Sequence, residues 1–247
     1  MTHLPRILVA AAIAAILLMS ADTQTVDAQS NTVEPKPAYL LSNLRVVHPD
    51  QLGPFRQASG PLTQKAGTES LAAGNPALHV LEGTWSHTGN LVLERYPSMD
   101  SLLAFWNSRE YQDARKLVAT AAEVDFVVAI EAGATARPSA PGASPSAAPK
   151  PAYLIASSQP IHPDQMGPYR AAAGPLALKA GLEVLASGNP AQHLLEGAWT
   201  HAGGLTIERY RSMDDLLTFW NSPDYREAKT LRAGHVEMHF IVAIEGR

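Results

Sequence analysis

The chain contains two copies of one domain-sized segment, and this duplication limits what it can fold into. Pro35-Lys36-Pro37-Ala38-Tyr39-Leu40 recurs as Pro149-Lys150-Pro151-Ala152-Tyr153-Leu154, and from there the two copies align without a gap. By count, about 57 of 98 aligned positions are identical, which indicates a tandem duplication. Two copies are too few for a solenoid, which needs at least about three repeats. Each copy must therefore fold alone or pair with the other.

The two copies divide the 247-residue chain into four parts. We expect a signal peptide over residues 1–28, a first domain over 35–132, a linker over 133–148 and a second domain over 149–247. The linker is almost entirely Ala, Pro, Ser, Gly and Thr, with Arg137 as its one charged residue. This composition is typical of a flexible to semi-extended connection.

The start of the chain has the pattern of an export signal. Arg6 precedes an apolar run over residues 7–19, which is shorter than the roughly 20 residues that a membrane span needs. Val26-Asp27-Ala28 then places small residues where a signal peptidase cleaves. We predict cleavage after Ala28, with cleavage after Ala21 or an uncleaved anchor as the alternatives. We therefore expect a bacterial periplasmic or secreted protein, with no membrane contact beyond the signal peptide.

Composition excludes several classes of function. The net charge is −4, so no basic surplus favours nucleic acid as a partner. The chain has no cysteine, which excludes disulfides, thiolate metal sites and a cysteine nucleophile. The histidine spacings do not resemble a chelating set, and no phosphate-binding loop or dinucleotide fingerprint is present. We expect neither a metal nor a cofactor.

The first half of each copy predicts a strand, a helix and an interrupted strand. Residues 39–47 read as a strand, and His48-Pro49-Asp50 opens a helix that ends near Gly67. A second strand is expected from Glu69, with a turn at Gly74-Asn75-Pro76 before it resumes.

The second half of each copy predicts a strand, two helices and a final strand. Residues 91–96 alternate as a strand, Ser98 and Ser108 are expected to cap successive helices, and residues 126–131 form the last strand. The order β-α-β-β-α-β predicts an α+β, ferredoxin-like unit with helices on one face of a four-stranded antiparallel sheet. The other face needs cover, and the second copy supplies it.

Several segments resemble the DUF1330 family. They are Tyr39-Leu40-Leu41, Phe55-Arg56, Leu81-Glu82-Gly83-Thr84-Trp85, Glu94-Arg95-Tyr96-Pro97-Ser98-Met99 and Trp106-Asn107-Ser108-Arg109-Glu110-Tyr111-Gln112, with Glu196-Gly197-Ala198-Trp199 and Trp220-Asn221-Ser222-Pro223-Asp224-Tyr225 in the second copy. The resemblance covers nearly all of both copies.

This resemblance implies a dimeric α/β barrel, in which the two copies pair sheet to sheet within one chain. The family has no settled reaction. Where its members usually have Asp before the helix-opening proline, this chain has His48 and His162, and an arginine common near Ala73 and Ser187 is absent.

Candidate site residues fall at equivalent positions in the two copies. Glu94 and Glu208 point away from the leucines of their strand; if those leucines meet the helices, the glutamates face the barrel interior and could act as a general base. The alternative is a structural ion pair. The candidate ligand-binding residues are His48, Arg56, Trp106 and Tyr111 in the first copy, and His162, Arg170, Trp220 and Tyr225 in the second. For the arginines a surface salt bridge, and for the tryptophans a core position, are the competing interpretations.

Three functions remain open. The first is binding of a small, partly apolar organic molecule between sheet and helices. The second is a cofactor-independent enzyme of the dimeric α/β-barrel type, such as a monooxygenase, isomerase or decarboxylase, using Glu94 or Glu208 as base. The third is a structural protein with a packed interior. Strand one differs between the copies, with Asn43 and Arg45 replaced by Ser157 and Gln159, so we expect unequal interiors and at most one efficient site.

Overall fold

A computed structural model describes residues 35–133 and 149–247 of the protein. The predicted signal peptide and all but the first residue of the predicted linker lie outside these ranges. Within them, no helix has both the length and the apolar character needed to cross a bilayer.

Each copy has the same sequence of elements. In the first copy they are β1 (Ala38–Val46), α1 (Leu52–Lys65), β2 (Glu69–Gly74), β3 (Val80–Gly83), β4 (Asn90–Tyr96), α2 (Met99–Asn107), α3 (Arg109–Lys116) and β5 (Ala122–Glu131). In the second copy they are β6 (Ala152–Pro160), α4 (Gly167–Lys179), β7 (Glu183–Gly188), β8 (Leu194–Gly197), β9 (Gly204–Tyr210), α5 (Met213–Asn221), α6 (Pro223–Thr230) and β10 (Val236–Glu245). The predicted α+β class is confirmed.

The strands form two five-stranded antiparallel sheets, each completed by a strand from the other copy. One sheet has the order β2-β4-β1-β5-β8 and the other β3-β10-β6-β9-β7. Strand β3 pairs with β10, with Phe240 opposite Gly83, and β8 pairs with β5, with Phe126 opposite Gly197. The copies therefore exchange one strand each.

This exchange corrects two predictions. The sheets have five strands rather than four, and the predicted interrupted strand is two strands in different sheets. A short 3-10 helix, Pro76–His79, separates β2 from β3, with the Asn75 side chain accepting a hydrogen bond from the Ala77 N–H at 3.0 Å. Because this turn redirects the chain, β3 leaves its own sheet and reaches the neighbouring one.

The two sheets pack face to face around a shared apolar core. Alternate residues of β1 point to opposite faces. Tyr39 and Leu41 join the core between the sheets, and Ala38 and Leu40 pack under the helices. All four are at most 5% exposed, which explains why this central strand is apolar on both faces. The predicted sheet-to-sheet pairing is confirmed.

Local signals set the helix ends as predicted. The Ser98 hydroxyl accepts a hydrogen bond from the Ser101 N–H at 3.1 Å, and the Ser101 hydroxyl in turn accepts one from the Ser98 N–H. Ser108 caps α3 in the same way through the Tyr111 N–H. Gly67 ends the first helical segment with a φ of 69°, the left-handed conformation that glycine adopts without a Cβ clash.

The leucines of β4 do not meet the helices, so the condition under which the glutamates would face the barrel interior is not met. Leu91 and Leu93 are fully buried in the core between the sheets, not against the helices. Since neighbouring residues of a strand point to opposite faces, Glu94 and its counterpart Glu208 lie on the helix side of their sheets. The candidate base is therefore between sheet and helices.

Candidate functional site

The second copy contains a cavity of about 60 Å³ between its sheet and its helices. Polar side chains of Ser158, Tyr169, Arg170, Thr206, Glu208, Tyr210, Tyr225 and Arg232 line it together with apolar ones that include Leu154, Ala177, Phe219, Trp220, Met238 and Ile241. A mostly apolar wall with a few polar groups is the usual composition of a small-molecule site.

Glu208 is the acidic group of this cavity. Its carboxylate accepts a hydrogen bond from the Tyr210 hydroxyl at 3.1 Å. Burial raises the pKa of Glu208 to about 7, although the hydrogen bond from Tyr210 acts to lower it. Among the described residues, no Lys, Arg or His side chain lies within ion-pair distance of this carboxylate. Glu208 can therefore both hold and release a proton near neutral pH.

Two tyrosines face each other in the same cavity. The hydroxyls of Tyr169 and Tyr225 are 3.2 Å apart, which makes them hydrogen-bond partners. Burial raises the pKa of both groups, with the neighbouring Tyr169 adding to the rise at Tyr225. Both hydroxyls are thus protonated at neutral pH and can donate or accept a hydrogen bond.

Two cations lie at the edge of the cavity. Arg232, which is 4% exposed, donates to the Glu82 carboxylate at 2.7 Å, and its guanidinium lies 5.5 Å from the centre of the Tyr169 ring. Lys229 Nζ lies 4.5 Å from the centre of the Trp220 ring. Glu82 belongs to the exchanged strand β3, so the first copy holds Arg232, a lining residue of the second copy's cavity, by a hydrogen bond.

Arg170 also lines the cavity, and its buried Nε atom, like that of Arg232, has no hydrogen-bond partner among the described residues. A guanidinium N–H can only donate. Arg170 therefore offers a donor to a ligand that carries an acceptor.

The equivalent positions of the first copy are less polar. Phe55 stands in place of Tyr169, Val118 in place of Arg232, Val92 in place of Thr206 and Leu44 in place of Ser158. Glu94 is retained, and the Tyr96 hydroxyl donates to it at 3.2 Å. The polar lining of the cavity is therefore a property of the second copy.

Glu94 also has a cation that Glu208 lacks. Burial raises the pKa of Glu94, whereas the hydrogen bond from Tyr96 and the charge of Arg247 lower it. Arg247 follows β10, and its N–H donates to the Leu71 carbonyl of the first copy at 3.1 Å. The residue equivalent to Arg247 after β5 is Gly133, which carries no charge.

A family model for a domain of unknown function, DUF1330, matches residues 37–132 and again residues 151–246. The chain belongs to the DUF1330 family. A search of curated proteins finds no match to it.

Solved structures share the fold of this DUF1330 protein. A candidate monooxygenase from Fusobacterium nucleatum subsp. nucleatum has a TM-score of 0.53 at 11% identity, over 86% of this chain and 92% of that one. A chlorite dismutase variant from Candidatus Nitrospira defluvii, in complex with cyanide, has a TM-score of 0.50 at 11% identity, over 87% and 92%. At such identities the likeness shows the dimeric α/β-barrel fold alone.

The structure brings together four of the predicted site residues of this DUF1330 protein. Glu208, Arg170, Trp220 and Tyr225 all line the cavity of the second copy. Trp220 is also 6% exposed and belongs to the core under the helices. It therefore both lines the cavity and occupies the core position given above as the competing interpretation.

The other predicted residues lie elsewhere. His48 and His162 are exposed at the start of short 3-10 helices, with the His162 ring 5.9 Å from that of His235. Arg56 is exposed. In the first copy, Trp106 and Tyr111 are packed together with ring centres 5.5 Å apart, and burial raises the pKa of Tyr111 to about 12.

Sequence reasoning missed Tyr169 and Arg232. Both differ between the copies, and the comparison of copies was made along strand one, where Arg45 pairs with Glu123 at the surface and Gln159 is exposed. The interiors of the copies do differ, in strand one at Leu44 against Ser158 and outside it at Phe55 and Val118. A comparison at every aligned position would have found them.

Proposed function

We propose that the second copy binds a small, partly apolar organic molecule in the cavity between its sheet and its helices. The observation that carries this proposal is the juxtaposition of Glu208, the Tyr169–Tyr225 hydroxyl pair and the free Nε of Arg170 around an apolar wall. Polar groups in fixed positions select a ligand's orientation, and the apolar wall supplies affinity.

The shape and chemistry of the cavity favour one class of ligand. The volume is small, so a compact molecule, or one end of a longer molecule, is expected. An apolar body would contact Phe219 and Ile241, and a polar end would accept from Arg170 or exchange a hydrogen bond with Glu208.

The first experiment is mass spectrometry of the protein purified from its own host, under native and denaturing conditions. An additional mass in the native spectrum alone identifies a bound molecule. The variant Ala177→Leu fills the cavity and should abolish that mass. Thr63→Leu at the equivalent position of the first copy is the matched control and should retain it. Equal retention by both variants would place the molecule elsewhere and refute the proposal.

A second function is supported by Glu208. A carboxyl group whose pKa burial raises to about 7 is suited to accept a proton from a bound substrate, as a cofactor-independent enzyme of this fold requires. In that reaction Glu208 would take a proton from an acidic C–H or O–H bond of the substrate and become neutral.

Solvent exchange distinguishes the enzyme from the binding protein. The molecule identified by mass spectrometry is incubated in D₂O with the protein and followed by NMR. Exchange of a C–H position with the wild type and its loss in Glu208→Gln would show a general base. Glu94→Gln serves as the control and should leave exchange unchanged. Binding without exchange would leave the protein as a binding module.

We further propose that the protein is exported, since its first 28 residues have the signal-peptide pattern described above. N-terminal sequencing of the mature protein tests this. A new N-terminus at Gln29 is expected, and a chain that retains Met1 in the cytoplasmic fraction would contradict it.

A further inference from the structure

Two guanidinium groups of the second copy's cavity have hydrogen-bond donors without partners. Arg170 and Arg232 both line the cavity, and the buried Nε atom of each has no partner among the described residues. Arg232 is only 4% exposed. A guanidinium N–H cannot accept a hydrogen bond, and a buried donor without an acceptor costs free energy. The cavity is therefore short of acceptors.

The pair of tyrosine hydroxyls in the cavity adds a further donor. Between Tyr169 and Tyr225, one hydroxyl donates to the other oxygen across 3.2 Å, and the accepting hydroxyl keeps its own hydrogen. In the part of the chain that the structure describes, neither hydroxyl has a second hydrogen-bond partner. One O–H of the pair is therefore available to a ligand, whichever tyrosine donates to the other.

The cations around the cavity outnumber the carboxylates that pair with them. Arg170 forms no ion pair within residues 35–133 and 149–247. Arg232 and Lys229 share one carboxylate, that of Glu82, at 2.7 and 3.8 Å. Burial raises the pKa of Glu208 to about 7, so this acidic lining residue is mostly neutral at pH 6. The cavity and its edge then have a positive charge that a bound anion would neutralise.

The volume of the cavity limits the size of its ligand. One water molecule needs about 10–15 Å³ of such a cavity, so a volume of about 60 Å³ holds about four to six non-hydrogen atoms. Ala173, Leu182 and Ile241 provide apolar wall beside the polar groups. A molecule with one charged end and a short hydrocarbon chain fits both the volume and the lining.

We propose that the ligand of this cavity is a short-chain monocarboxylate. Its two carboxylate oxygens accept hydrogen bonds from the unpartnered donors, with Arg170 as the cation, and its alkyl chain contacts the apolar wall. Hydrogen bonds between a guanidinium and a carboxylate are about twice as strong as those between neutral groups. This inference rests on the function proposed above and names the ligand class for the same cavity. Arg170 is then the residue that determines specificity.

The first copy lacks this set of donors. Phe55 and Val118 stand at the positions of Tyr169 and Arg232, and Arg56, the counterpart of Arg170, is exposed. The first copy therefore has neither the hydroxyl pair nor the two buried guanidinium donors. We expect one carboxylate to bind per chain, in the second copy.

The test compares two ligands of nearly equal shape, sodium butyrate and butyramide. Each is titrated at pH 6 into the isotope-labelled full chain and followed by NMR chemical shifts, with sodium chloride keeping the ionic strength equal. One butyrate should bind per chain, at least about tenfold more tightly than butyramide, because only the carboxylate gains charge-assisted hydrogen bonds. Butyramide that binds as tightly as butyrate would overturn the inference.

Matched variants locate the carboxylate. Arg170→Met removes the guanidinium and keeps an apolar side chain, so butyrate should bind at least about tenfold more weakly while butyramide binding stays unchanged. Arg56→Met is the equivalent change in the first copy and should alter neither. Equal butyrate affinity in Arg170→Met and the wild type would show that Arg170 does not hold the carboxylate, and the inference would be wrong.

The cavity-filling variant separates this inference from the function on which it rests. Ala177→Leu should abolish the binding of both ligands, and Thr63→Leu should retain it. If Ala177→Leu abolishes binding but neither the ligand's charge nor Arg170→Met matters, the cavity binds small molecules regardless of charge, and only the carboxylate inference fails. If Ala177→Leu leaves binding intact, the ligands lie elsewhere and both proposals fail. If the wild type binds neither ligand, the carboxylate inference fails, and the native mass spectrum decides the proposed function.

Discussion

Glu82 in β3 of the first copy accepts a hydrogen bond from Arg232 of the second copy at 2.7 Å, across 150 residues of sequence. Lys229 Nζ lies 3.8 Å from the same carboxylate. Because β3 belongs to the neighbouring sheet, the glutamate of the Leu-Glu-Gly segment connects strand exchange to the wall of the second copy's cavity. The equivalent contact joins Glu196, in β8 of the second copy, to Arg115 of the first copy. The first copy has Val118 at the position of Arg232.

Removing Glu82 should destabilise the protein more than removing Glu196. Glu82→Gln leaves Arg232, which is 4% exposed, without its anion, and a buried charge that loses its partner costs about 3–5 kcal/mol. Glu196→Gln affects Arg115, whose side chain is 23% exposed, so a loss of about 1 kcal/mol is expected. Urea unfolding of the two variants measures the difference.

The double variant Glu82→Gln with Arg232→Met tests whether the cost comes from the unpaired charge. Its loss of unfolding free energy should be smaller than that of Glu82→Gln alone, since no buried charge remains. Equal losses in Glu82→Gln and Glu196→Gln would contradict the assigned difference in burial.

Gly83 should be required for strand exchange. Its φ is 73°, and a Cβ added there would overlap the backbone carbonyl of His239 on β10. Gly83→Ala is therefore expected to lower the free energy of unfolding by about 2 kcal/mol or more and to speed amide exchange in β3.

Gly234 is the control for Gly83, because it has a similar φ of 76° but no atom within 4 Å of an added Cβ. Gly234→Ala should cost only the conformational penalty, about 1–2 kcal/mol. A loss in Gly83→Ala no larger than that in Gly234→Ala would show that β3 does not approach β10 as closely as described.

The sequence predicts the parts of this fold that depend on neighbours along the chain. The Ser98 cap and the left-handed end at Gly67 are set within a few residues, so local patterns are sufficient. The pairing of β3 with β10 depends on the turn at Asn75 and on a partner far along the chain. A four-residue strand carries the same local pattern whichever sheet it joins, and this is why the exchange was not predicted.

The candidate site shows the same limit. Glu208, Trp220 and Tyr225 could be selected because they recur at fixed positions in both copies. Which side of the sheet Glu208 faces could not be predicted, because both faces of β9 carry buried residues and the strand itself does not show which face meets the helices. Arg232 lies in a turn with no periodic pattern, and its role depends on Glu82 from the other copy.

Arg247 should control the charge state of Glu94. Its positive charge lowers the pKa of that carboxyl group against the effect of burial. Arg247→Gln should therefore raise the pKa of Glu94, and Arg247→Lys should leave it nearly unchanged. Carboxyl-carbon NMR titration measures both. Glu208 is the internal reference, since neither variant should alter its pKa. A pKa shift at Glu208 without one at Glu94 would contradict the effect of Arg247 on Glu94.

Gly133→Arg tests the equivalent position in the second copy. A cation placed after β5, where Arg247 stands after β10, should lower the pKa of Glu208 toward that of an ordinary carboxyl group. Gly133→Gln is the neutral control. An equal pKa of Glu208 in the two variants would show that a charge at this position does not act on Glu208.

Glu208 should make stability depend on pH between about 4.5 and about 7. Its pKa in the folded protein is raised to about 7, above the value of 4.5 expected when unfolded, so the folded state binds the proton more tightly. The stabilisation of the folded state by this proton is therefore fully present below pH 4.5 and is lost as the pH rises through 7. The loss is up to about 3 kcal/mol, since each pKa unit corresponds to about 1.4 kcal/mol.

Glu208→Gln removes this proton linkage and keeps the shape of the side chain. The difference in unfolding free energy between Glu208→Gln and the wild type should grow in favour of the variant from pH 4.5 to pH 8, measured by urea unfolding. Glu94→Gln is the matched control and should show a smaller change, because Arg247 offsets part of the burial effect at Glu94. A difference for Glu208→Gln that does not change with pH would mean that this carboxyl titrates like an exposed one, and the general-base proposal would fail with it.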